Sequence, residues 1–196
     1  IAGIIGGISI VTLQKVNDSY SVAYTDSVKA LEYLERISSS YQRIRANLFA
    51  MVLSDDQLVK EYFIEGMNEC KEIIDDSISR YMEMLSRYEA DEVAKEIELI
   101  DYVQGNLAAY EKKRNEFIEQ VGMDTSRRYE AFELLRDDGE MGLLAQAVDG
   151  AVSELVEYNN IYTENQIVSN GNEAKKATSI ATIVLFIGLI IAIITG

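Results

Sequence analysis

The sequence predicts an all-α protein: an antiparallel up-down-up-down four-helix bundle flanked by two transmembrane helices. Three observations predict it. The 196 residues include no proline, so no ring geometry breaks a helix, and no run of alternating β-branched residues sits between turn clusters. Apolar and small residues recur in steps of three and four over long stretches, the period of packed helices. Both ends of the chain are apolar and almost free of charge.

The ends come first. Residues 177–196 read ATSIATIVLFIGLIIAIITG, about 20 uncharged residues, enough to span a hydrocarbon core of about 30 Å as a helix. Residues 1–13, IAGIIGGISIVTL, are expected to be the outer part of a first membrane helix that starts before this chain. A signal peptide is the weaker alternative, because a charged n-region and a small-residue cleavage site are missing. Residues 14–176 are then a polar domain between two spans. Lys15, Lys175 and Lys176 flank the spans on the domain side, which the positive-inside rule reads as cytoplasmic.

The first bundle helix is predicted over 12–53. Its seam is Leu13, Val16, Tyr20, Ala23, Ser27, Ala30, Leu34, Ile37, Tyr41, Ile44, Leu48 and Met51, more than five heptads. Ser54, Asp55 and Asp56 supply a turn and an N-cap. The second helix, 57–88, carries Ile64, Met67, Ile74, Ile78, Tyr81, Leu85 and Tyr88, interrupted by Lys71. Asp91 is the expected cap of the third helix, 92–122, with Ile100, Val103, Leu107, Tyr110, Arg114, Phe117 and Val121 on its seam. Gly122 fits a helix stop.

Asp124 to Ser126 is expected to cap a short helix through Arg136, which Asp137 to Gly139 ends. The fourth bundle helix starts near Glu140 and carries Leu144, Val148, Ala151, Leu155, Tyr158 and Tyr162. It runs through a polar stretch, residues 169–172, into the second span. The helix lengths agree, at about 50–60 Å each, so short connections make antiparallel neighbours. Ser27, Ala30 and Gln104 at seam positions predict thin packing in places.

Composition excludes several functions. There is no histidine, which removes the usual general base and the usual zinc ligand, and no carboxylate-pair motif replaces it, so no enzyme, metal or cofactor is expected. A di-iron bundle of the usual kind needs a Glu-x-x-His motif that cannot exist here. The net charge is −15, which repels phosphate backbones and excludes nucleic acid as a partner. The single cysteine, Cys70, is expected as a small core residue.

The residues 43–48 (RIRANL), 110–118 (YEKKRNEFI) and 143–160 (LLAQAVDGAVSELVEYNN), with the helix lengths and membrane flanks, resemble the four-helix-bundle sensor domain of methyl-accepting chemotaxis receptors. The likeness covers nearly the whole chain. It implies an extracytoplasmic sensory domain of a membrane receptor, a homodimer with the first helices at the interface, and a small ligand that shifts the last helix. In the related aspartate and serine receptors, arginines of the first helix hold the ligand's carboxylate. Aligned on Arg-x-Asn-Leu, one of those three positions is kept as Arg45; the others fall on Ala50 and Ser54. An input bundle of a sensor histidine kinase or cyclic-dinucleotide enzyme, or a structural tether without a small ligand, are the alternative readings.

The candidate ligand residues are Arg45, Tyr41, Phe49, Asn47 and Arg43. Tyr41 and Phe49 lie four residues either side of Arg45 on one helix face, so its guanidinium is placed to hold a carboxylate with ring stacking. The competing reading is that Tyr41 is core and that Arg45 snorkels to a carboxylate such as Glu133 or Glu140.

Overall fold

A computed structural model describes the backbone of residues 2–195, and the side chains of residues 25–169 and of some positions between 171 and 183. Every element among them is helical: α1 (Ala2–Leu53), α2 (Gln57–Leu85), α3 (Ala90–Phe117), a π-turn (Ile118–Gly122), a 3₁₀ turn (Thr125–Arg127), α4 (Arg128–Leu135) and α5 (Glu140–Thr195). The chain divides into two compact units, residues 29–158 and residues 1–28 with 159–196. The predicted membrane spans at 1–13 and 177–196 lie largely outside the described side chains. Among the described residues no helix is long and apolar enough to cross a membrane.

In the unit of residues 29–158, the α1 seam is buried as the heptads predict, at Ala30, Leu34, Ile37, Tyr41, Ile44, Leu48 and Met51; Leu13, Val16, Tyr20 and Ala23 lie outside the described side chains. Such a stripe faces a common core in knobs-into-holes fashion. Met67, Ile74, Ile78 and Tyr81 of α2, and Ile100, Val103, Tyr110 and Phe117 of α3, meet it, and Cys70 is a buried core residue. On α5 the buried line is Met141, Ala145, Val148, Ala151, Val152 and Leu155, with the expected Leu144 only half-buried. Gln104 is exposed rather than on the seam.

The caps explain where the helices begin. The Asp56 carboxylate accepts from the backbone N–H of Leu58 at 2.8 Å, the role expected of an N-cap. α3 begins two residues earlier than expected, with Glu89 as N-cap and Asp91 in the first turn, where a carboxylate favours the helix dipole. α2 ends at Leu85, three residues short of the expected Tyr88, because the backbone tightens after Met84: Arg87 donates to the Met84 carbonyl and Tyr88 to that of Leu85. Asp124 caps the short helical segment by accepting from Ser126 N at 2.9 Å.

Two features of the α1–α2 and α3–α4 end carry no periodic signal. The last turn of α3 widens into a π-turn, and Lys60 of α2 is buried against it. Its Nζ donates to the carbonyls of Gly122 at 3.0 Å and Met123 at 3.1 Å. Burial, with Arg128 nearby, pushes the Lys60 ammonium below the ordinary lysine value. Gly142, one turn into α5, lies so close under the preceding loop that a Cβ there would meet the Arg136 carbonyl and lie 2.8 Å from Asp137 Cα.

Candidate functional site

The heptads bring Tyr41 of α1 and Tyr110 of α3 together. Their rings meet edge to face with centroids 5.0 Å apart at 78°, a favoured aromatic geometry. Both are buried. A cleft of about 280 Å³ opens beside this pair between α1, α2 and α3. Ile44, Ile74, Ile78 and Leu107 give it an apolar lining, and Lys71, Asp75, Glu111 and Arg114 its charges. The volume is just below the roughly 300–1,000 Å³ of sites for drug-sized molecules, so the cleft suits a compact ligand.

Two polar groups of the cleft stand out. The Tyr41 hydroxyl is buried and makes no hydrogen bond, which costs about 1–3 kcal/mol. Burial, and then Tyr110, drive its phenol far above the ordinary value. Arg114 is 3% exposed, yet its hydrogen bonds go to the neutral Asn115 side chain at 3.2 and 3.0 Å. Its carboxylate neighbour, Glu111, stays at 3.8 Å, beyond hydrogen-bond length. Burial pushes the Arg114 guanidinium down and Glu111 opposes this. Lys71, by contrast, is closed on Asp75 at 2.5 Å and lies 3.7 Å from Glu111.

The residues read from the sequence separate. Tyr41 lines the cleft. Arg45 holds a carboxylate, but one of this chain: its Nη1 donates to Asp149 Oδ2 of α5 at 3.0 Å. Gln42 Nε2 donates to the other oxygen of Asp149 at 2.8 Å, so two α1 side chains grip one α5 carboxylate. The partners expected of a snorkelling Arg45 are engaged elsewhere, Glu140 with Lys113 at 2.7 Å and Glu133 with Arg136 at 3.3 Å. Asp149 wins because it lies next to Val148 on the α5 seam, directly across from α1.

Phe49 is half-buried against the core, and with Arg45, Tyr110, Met141 and Gly142 it borders a hollow of only about 10 Å³, about the room of one water. Arg43 is exposed. Asn47 is half-buried, and its amide lies 2.9 Å from where a Cβ on Gly66 of α2 would sit.

Sequence reading passed over Lys71 and Arg114 as members of the site, though the signal was present. Both are cations at or beside seam positions, where a heptad calls for an apolar residue. Asp149 touches the cleft through electrostatics: it raises the phenols of Tyr41 and Tyr110 while Arg45 lowers them. The aromatic pair thus joins the cleft to the α1–α5 grip. Among the described residues no group of three or more acidic, cysteine or histidine side chains is gathered to hold a metal.

A family model described as a four helix bundle sensory module for signal transduction matches residues 1–173. No curated protein and no solved structure matches the chain.

Proposed function

The chain belongs to the family of four-helix-bundle sensory modules for signal transduction, and from that premise we propose that it is the extracytoplasmic, non-enzymatic ligand-binding domain of a transmembrane chemoreceptor. The observation that carries the reading is the cleft of about 280 Å³ lined in part by Tyr41, whose buried hydroxyl has no hydrogen-bond partner. A buried polar group left without a partner calls for an explanation, and a ligand that supplies the partner is one.

Transmission follows from the neighbours of Tyr41. A ligand against the Tyr41–Tyr110 pair bears on α1, and α1 holds α5 through Arg45, Gln42 and Asp149. α5 is an unbroken helix from Glu140 to Thr195, so a displacement of an ångström or two at Asp149 travels along it as a helix shift. The apolar residues 177–196 then serve as the second membrane span, and residues 1–13 as the end of the first. A homodimer is part of the proposal: Ile161 and Val168, one heptad apart on α5, are exposed apolar side chains suited to a second copy.

A thermal-shift screen of the full chain against organic acids, amino acids, amines and aromatic acids tests the reading. A ligand at 100 times its dissociation constant adds about 2.7 kcal/mol of stability. The expected result is a stabilising small molecule whose effect is weakened in Tyr41→Phe. A panel in which nothing stabilises the protein contradicts direct sensing.

A further inference from the structure

The cleft carries enough chemistry to say what class of molecule it takes, given that it is the ligand site proposed above. Its four charged groups sum to zero, but they are not equivalent. Asp75 and Glu111 are 59% and 35% exposed at the side chain, and both face Lys71. Solvated carboxylates that already have a cation offer little to an incoming ammonium group. Arg114 is the opposite case. Its side chain is 4% exposed, and the one carboxylate beside it stands off at 3.8 Å. A desolvated cation whose counter-charge is one long ion pair, to a Glu111 that also faces Lys71 at 3.7 Å, attracts an anion more strongly than a rim charge does. The planar fork of a guanidinium suits a carboxylate in particular.

The second polar group, the Tyr41 hydroxyl, lacks any hydrogen-bond partner and can donate to the same kind of oxygen. Of the remaining lining, Ile44, Ile74, Ile78, Leu107 and Ala108 are aliphatic, and Gln104 and Tyr110 add one amide and one phenol. The aliphatic majority favours an apolar body over a hydroxylated or sugar-like one, and the small volume limits its length.

We propose that the cleft binds a compact monocarboxylate with an apolar body and no ammonium group, its carboxylate held by Arg114 and the Tyr41 hydroxyl and its body against the isoleucines of α1 and α2. The site lies within one protomer, between α1, α2 and α3. Arg45, committed to Asp149, stands outside it and reports on it.

The test uses molecules that differ only in the head group. The full chain is titrated with 4-methylpentanoate, 4-methylpentanamide, 4-methylpentylamine and leucine, which is the same acid bearing an ammonium. A parallel set is built on 3-phenylpropanoate and phenylalanine. The expected order is the carboxylate first, at least tenfold tighter than the amide, the amine and the amino acid. Arg114→Gln should abolish that preference, and Tyr41→Phe should weaken the acid severalfold while leaving the fold intact. If Arg114→Gln fails to fold, Tyr41→Phe carries the test alone.

An amino acid or amine that binds as tightly as its acid overturns the proposal and leaves the sensory reading standing. So does acid binding that neither variant changes. If no compound of either set binds while the wider screen finds another ligand, the monocarboxylate class is wrong. If that screen is also blank, the ligand-binding reading itself has failed.

Discussion

Tyr110 belongs to two very different surroundings. Towards α2 it borders a cleft of about 280 Å³ with four charged groups. Towards α4 and α5 it borders a hollow of about 10 Å³ lined by Leu48, Leu135, Met141 and Ala145. The same heptad rule built both sides. On the tight side apolar and small residues fill the space, with Arg45 beside them held by Asp149, and Gly142 lets the chain pass close under the Arg136 carbonyl. On the open side Lys71 and Arg114 replace the apolar residues that the pattern calls for.

The comparison is broken most sharply by the same truncation on each side. Leu48→Ala, at a fully buried tight-side position, should cost about 3 kcal/mol in urea unfolding. Leu107→Ala, half-buried on the cleft wall, should cost about 1 kcal/mol, because less surface is lost and solvent reaches the gap. Equal costs would mean that the cleft is packed like the rest of the core. Gly142→Ala comes next, at about 2 kcal/mol, since the colliding atoms are backbone; a variant as stable as the parent would show that the α4–α5 loop yields freely.

The aromatic pair gives the next effect through pH. Burial pushes the Tyr110 phenol up to about 12, from an ordinary value near 10. The folded state therefore keeps a proton that the unfolded chain releases. Its contribution is fully present below pH 10 and is lost as pH rises from about 10 to 12, on the order of 2 kcal/mol. Chemical denaturation at intervals across that range should show the decline, and Tyr110→Phe should make it shallower, leaving the part that the raised Tyr41 phenol contributes.

Tyr41→Phe is expected to act in the other direction. Removing a buried hydroxyl that has no partner should stabilise the free protein by about 1 kcal/mol, while ligand affinity falls. A destabilised variant would mean that the hydroxyl is satisfied in solution. The smallest effect is expected at Asp149→Asn. This carboxylate is 40% exposed, so its ion pair with Arg45 should contribute less than 1 kcal/mol to stability. Its importance in this account is coupling, and a large loss of stability would recast it as structural.

Much of this was legible in the sequence, for reasons that individual residues show. The α1 seam reads correctly because Ala30 to Met51 is one uninterrupted helix whose period needs no partner to be recognised. The caps at Asp56 and Asp124 are local, each reaching only two residues ahead. What was not legible depends on other helices. Lys60 reads as an ordinary charged residue until the carbonyls of Gly122 and Met123 meet it, and those carbonyls lie at a helix end, where no later turn of the helix bonds them. The Arg45–Asp149 pair spans 104 residues and depends on the register of α1 against α5. The cleft is legible only in part: the seam pattern marks Tyr41, Lys71 and Arg114 one by one, but that they line one space depends on how α1, α2 and α3 meet.

The central claim is that ligand enters on the open side of the aromatic pair and not on the tight one. Hydrogen exchange of the full chain, with and without 4-methylpentanoate, tests it most directly. Exchange is expected to slow in α2 around Lys71 to Ile78 and in α3 around Gln104 to Arg114, with the start of α5 changing less. Slowed exchange confined to α4 and residues 140–145, with α2 and α3 unchanged, would contradict it.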